Sequence, residues 1–193
     1  MGWDNLYPKK GVEITSTQKE PYLGGILDDF IMDYSFPSIR THFLYAKHDE
    51  EIKSGRDLIF VVHGHGSSSY KVMGLDNPDY MQEAGKVWFE DGFDILALDA
   101  TSLTAASDYL NSQLILYGVQ IYGLWSRSVC DIVSGLGLKD KYSHIYLYGL
   151  SNGGIIADFA SVLCPEQFDK VVIGDIIEDW SAAAKKHLTL FRD

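Results

Sequence analysis

The chain has 193 residues, 46% of them hydrophobic, enough to bury one sizeable core, and length alone favours one domain over two. Lys and Arg total 16 against 27 Asp and Glu, a formal net charge of -11. That balance repels phosphate backbones and anionic lipid, so neither nucleic acid nor a membrane surface is an expected partner. No apolar run reaches the roughly 18 residues that span a bilayer, and the first twenty residues lack a leader pattern. A cytoplasmic location is the default expectation, with a secreted protein whose leader has been removed as the alternative.

Residues 1–38 mix Gly, Pro, Asp and aromatics without a clean period and read as an irregular arm; residues 39–193 read as the domain proper. From Ile39 to Tyr45 apolar residues alternate, predicting a strand with one buried face, followed by a charged turn from Asp49 to Arg56. Leu58-Ile59-Phe60-Val61-Val62 is an uninterrupted apolar run, the pattern of a strand buried on both faces. It opens into the loop His63-Gly64-His65-Gly66-Ser67-Ser68-Ser69, whose glycines let the backbone turn sharply beside a ligand. A helix is predicted over Tyr80–Glu90, and Phe93–Asp99 is a further buried strand that ends in a carboxylate.

Apolar positions recur every three or four residues from Tyr122 to Leu136, the stripe of an amphipathic helix packed on a sheet. Ile145–Tyr148 is the next strand and runs into Gly149-Leu150-Ser151-Asn152-Gly153-Gly154, after which a helix continues to Pro165. Val171-Val172-Ile173 supplies one more strand, and Ser181–Leu190 reads as a short helix. Alternating strands and helices predict an α/β fold with a mostly parallel sheet and helices on both faces. Cys130 and Cys164 fall in apolar helical stretches and read as two separately buried thiols.

Gly149-Leu150-Ser151-Asn152-Gly153 fits the G-x-S-x-G turn, which needs small residues two before and two after a serine held on a strained bend. Ser151 is therefore the candidate nucleophile. The amides of Asn152 and of His65 or Gly66 are the candidate oxyanion donors, each contributing about 3 kcal/mol to transition-state stabilisation. A histidine ahead of the loop glycine, here His63, more often holds the loop by hydrogen bonding than ligates metal. No acidic or Cys residue stands at ligand spacing, so no metal is expected. Asp99 reads chiefly as a residue that ties neighbouring loops together.

Three passages carry a wider likeness: Leu58–Gly66, the stretch Leu114–Leu136 with Tyr117-Gly118 and Gly123-Leu124-Trp125, and Ile145–Gly154. Through them, over roughly residues 39–175, the chain resembles the α/β-hydrolase superfamily, and within it the acetyl xylan esterase-like and dienelactone hydrolase-like branch. The resemblance implies a cofactor-free esterase with a serine nucleophile, a histidine base and an aspartate. In the superfamily the acid and the histidine follow the serine on later loops. Here Asp175 is the candidate acid and His187 the one remaining histidine, with no further strands to carry it back over the sheet. The chain is accordingly expected to be a fragment with its C-terminal strands missing, or one part of a complex in which a partner chain or further segment completes the sheet.

The expected substrate is a small carboxylic ester, with carbohydrate acetyl esters as a candidate class that the 12 Tyr and 4 Trp could serve as a sugar-binding surface. A serine peptidase or thioesterase on the same fold, and an inactive binding or scaffold module, are the competing readings.

Overall fold

The computed structural model of the chain describes residues 12–35, 38–53, 55–100 and 120–175. Seven strands form one sheet: β1 (Val12–Tyr22), β2 (Gly25–Ser35), β3 (Ser38–Lys47), β4 (Asp57–Val62), β5 (Asp94–Asp99), β6 (His144–Leu150) and β7 (Lys170–Gly174). Their order across the sheet is β1-β2-β3-β5-β4-β6-β7. Among the described residues, four α-helices accompany them: α1 (Ser69–Val72), α2 (Ala84–Glu90), α3 (Ile121–Gly135) and α4 (Asn152–Leu163).

The sheet is mixed, which corrects the expectation of a mostly parallel one. β4 pairs in parallel with β5 and β6, and β6 with β7, whereas β1, β2, β3 and β5 pair antiparallel in succession. Much of the antiparallel half comes from the segment read as an irregular arm. Residues 12–35 are instead a hairpin, closed by the two-residue turn Leu23-Gly24 with φ of 45° and 83°. Positive φ at both turn positions matches the twist of the flanking strands. The hairpin continues into the ladder with β3, so the sheet has no break at residue 38.

Helices do cover both faces. Leu58, Phe60 and Val62 of β4 pack with Leu96 and Leu98 against Trp125 and Val129 of α3 and Ile156 and Ala157 of α4. Ile59 and Val61 join Ile95 and Ala97 on the other face, against Val72 of α1 and Phe89 of α2. Each large apolar side chain buried in this way contributes roughly 1.5–3 kcal/mol. β3 is likewise covered on both faces, with Phe43 and Tyr45 on one and Leu44 and Ala46 on the other, not on one face as its alternation suggests. Helix α2 starts at Ala84, four residues later than predicted.

Cys130 and Cys164 are bonded to each other, which corrects the reading as separate thiols. The helical spacing around each cysteine conceals that α3 and α4 lie side by side. Ser126 Oγ, fully buried in α3, donates to the Ile156 carbonyl of α4 at 2.9 Å and marks the same seam.

Candidate active site

The turn between β6 and α4 is built by exclusion of side chains. A Cβ on Gly149 would lie 2.3 Å from the Gly153 carbonyl oxygen, and one on Gly153 would lie 2.1 Å from the Val62 oxygen. With both positions bare, the backbone bends so tightly that Ser151 takes φ 56° and ψ -122°. A non-glycine residue there stores strain of order 1–3 kcal/mol. Ser151 is the N-cap position of α4, yet its side chain makes no capping bond. Its carbonyl accepts from the amides of Gly154 and Ile155 at 2.9 and 3.3 Å, and its own amide donates to Gly174 of β7 at 2.8 Å. The Asn152 amide, in the unpaired first turn of α4, has no hydrogen-bond partner among the described residues.

The loop after β4 lies directly against this turn. A Cβ on Gly64 would meet the Leu150 oxygen at 2.7 Å and Ser151 Cβ at 2.9 Å. The loop turns at Gly66, φ 78°, and Tyr80 Oη donates to the His65 carbonyl at 2.9 Å. Burial pushes the Tyr80 phenol up to about 12, so it stays a donor at neutral pH. With its carbonyl held by Tyr80, the His65 backbone is fixed from outside the loop.

His63, 1% exposed, anchors the start of the loop. Its Nδ1 lies 2.8 Å from the Gly64 carbonyl oxygen and its Nε2 lies 3.2 Å from Asp99 Oδ1. Both partners are acceptors, so the ring satisfies both only with a hydrogen on each nitrogen. Burial raises the Asp99 carboxyl, but contacts from His42 and His63 outweigh it and hold the group down at about 2. Asp99 is thus an ionised tie between loop and sheet.

Asp175 follows Gly174, the residue whose carbonyl binds the Ser151 amide, so its backbone lies at the same end of the sheet as the serine. It has φ 51° and is exposed. His187, the Ser181–Leu190 helix and Tyr117-Gly118 fall outside the described residues. Sequence reasoning missed Tyr80 as a support of the loop, because it falls inside the predicted helix rather than before it. Tyr80 also borders a cleft of about 380 Å³ with Trp88, Tyr148 and Leu150, in which the Trp88 and Tyr148 rings meet edge to face at 5.0 Å. Among the described residues, no group of three His, Cys, Asp or Glu side chains could hold a metal ion, and no helix is long and apolar enough to cross a membrane.

No protein-family model matches the chain, and no curated protein sequence matches it. Solved structures do. A candidate acetyl xylan esterase of Bacteroides fragilis superposes with a TM-score of 0.71 at 15% identity, over 86% of this chain and 48% of its own. The acetyl xylan esterase of Paenibacillus sp. R4 gives 0.60 at 14% identity, over 98% and 60%. The glucuronoyl esterase of Solibacter usitatus gives 0.59 at 10% identity, over 84% and 51%. The chain therefore spans about half to three fifths of the length of these structures. At such identities the likeness is one of fold alone.

Proposed function

We propose that the chain carries the nucleophile half of a serine hydrolase that cleaves carboxylic esters, with Ser151 as the attacking residue. The observation that carries this reading is the strained Ser151 backbone with Gly64 packed against its Cβ. In the proposed reaction Ser151 Oγ attacks the ester carbonyl carbon, and the carbonyl oxygen becomes an oxyanion. The amides of Asn152 and of His65 or Gly66 receive that charge. The intermediate then expels the alcohol, which takes up the serine proton, and water hydrolyses the acyl-serine.

A serine hydroxyl needs a general base to attack near neutral pH. None of the described side chains is hydrogen-bonded to Ser151 Oγ, so the reading assigns the base to a histidine outside the described residues, in this chain, a longer one or a partner chain beside β7. Asp175, one residue beyond the carbonyl that binds Ser151, is the proposed acid. Carbohydrate acetyl esters are the proposed substrate class, in the acetyl xylan esterase-like branch, supported by the names of the structures of like fold and by the aromatic cleft at Trp88 and Tyr148. The Cys130–Cys164 bond favours an oxidising compartment over the cytoplasmic default.

The lack of a partner for the serine hydroxyl among the described residues also leaves a second reading, an inactive module that keeps the fold for binding. A fluorophosphonate probe separates the two. Covalent labelling that Ser151→Ala abolishes supports the hydrolase; in a full-length context, an unlabelled protein, with p-nitrophenyl acetate also left intact, supports the binding module.

A further inference from the structure

We infer that His42, on β3, is a positioning residue for the loop at residues 63–66, acting through Asp99 and His63. The inference rests on the reading of that loop as the oxyanion side of the Ser151 site.

His42 and Asp99 are direct cross-strand partners in the β3–β5 ladder. His42 Nδ1 lies 3.6 Å from Asp99 Oδ2, while Asp99 Oδ1 faces His63 Nε2 at 3.2 Å, so one carboxylate spans two imidazoles. On the other side, His42 Nε2 lies 2.8 Å from Asp29 Oδ1 of β2, a charge contact without hydrogen-bond alignment. Tyr70 of α1 stacks on the His42 ring with centroids 5.5 Å apart, and its hydroxyl reaches Asp29 Oδ2 at 3.4 Å. The groups facing His42 are thus Asp29, Asp99 and Tyr70. Burial lowers the His42 pKa, but the two carboxylates outweigh it and raise it above the ordinary value.

The row Asp29, His42, Asp99, His63 alternates carboxylate and imidazole from the half-buried hairpin to the buried loop anchor. A charged His42 neutralises the half of Asp99 that His63 does not use. When His42 loses its proton, Asp99 has only His63 to balance it, and the ring that holds Gly64 is pulled toward the carboxylate. Because the folded pKa is raised, this stabilisation is complete below the ordinary histidine value and is lost as pH rises through the raised one. No local pattern in the sequence marks His42, since the strand that brings Asp29 beside it lies in the segment read as irregular.

Imidazole 15N–1H correlation spectra of the full chain, titrated from pH 5 to 9, test the coupling without requiring turnover. His63 ring resonances are expected to move with the His42 titration, to stop doing so in His42→Gln, and to follow a midpoint shifted to lower pH in Asp29→Asn. A merely packed His42 would show the lowered midpoint in Asp29→Asn on its own ring while the His63 resonances stayed still. His63 resonances that ignore His42, or a midpoint that Asp29→Asn does not move, overturn the inference. Fluorophosphonate labelling of the same samples reads the serine separately: absent labelling counts against the hydrolase, while the His63 resonances still decide the role of His42.

Discussion

Gly64 and Ser151 touch across two loops, with no room between them for a side chain: a Cβ on Gly64 would sit 2.9 Å from Ser151 Cβ and 2.7 Å from the Leu150 carbonyl oxygen. Any larger residue must move the loop that presents His65 and Gly66 away from the serine. In Gly64→Ala, Ser151 labelling by a fluorophosphonate is expected to slow by about 100-fold, the loss typical of one misplaced oxyanion donor. Labelling at the wild-type rate would show that the loop is no part of the site.

Gly153 is constrained by backbone rather than by side chains. Its added Cβ would strike the Val62 and His63 oxygens at 2.1 and 2.5 Å, and neither can rotate away. Gly153→Ala is expected to destabilise the fold by about 3 kcal/mol in urea unfolding, the upper end for overpacking. Gly66→Ala meets no atom and is opposed only by its φ of 78°, so its expected loss is about 1 kcal/mol. Equal losses for the two variants would contradict the assigned geometry.

The Cys130–Cys164 bond closes a loop of sequence separation 34. By loop-closure entropy it stabilises the chain by about 3 to 4 kcal/mol. Unfolding midpoints with and without dithiothreitol measure the difference. Peptide mapping after alkylation without reduction is expected to recover the two cysteines as one cross-linked pair.

Asp99 makes the fold acid-sensitive. Its carboxyl is held down at about 2, against an ordinary 3.8, which corresponds to roughly 2 kcal/mol. For a group whose folded pKa is depressed, that stability is present above the unfolded value and lost as pH falls through the folded one. Stability of the wild type is expected to drop between about pH 4 and pH 2 with a slope that Asp99→Asn makes shallower. An unchanged slope would mean that Asp99 titrates alike in both states.

How much was legible varied with how local the cause is. The serine bend could be read because its demand for small neighbours falls on Gly149 and Gly153, two positions either side of Ser151. The buried run Leu58–Val62 was equally plain, since covering by helices on both faces requires unbroken hydrophobicity. The β1–β2 hairpin was hidden because β1 is an edge strand with mostly exposed residues, and because β2 carries Asp28, Asp29 and Asp33. Those carboxylates are tolerated there through charges that arrive from elsewhere: Lys47 Nζ lies 2.7 Å from Asp28 Oδ2, and Arg40 Nε lies 2.8 Å from Asp33 Oδ1.

The amino-acid order alone determined the strand–turn–helix around Ser151, the glycine loop after β4 and the long helices α3 and α4, because steric and hydrophobic patterns act over a few residues. The tertiary structure decided the mixed sheet, the Cys130–Cys164 bond, the Tyr80 support of His65 and the chain of charges from Asp29 to His63. Each joins residues far apart in sequence, where a contact is stabilised by burial and charge that exist only once the sheet has formed.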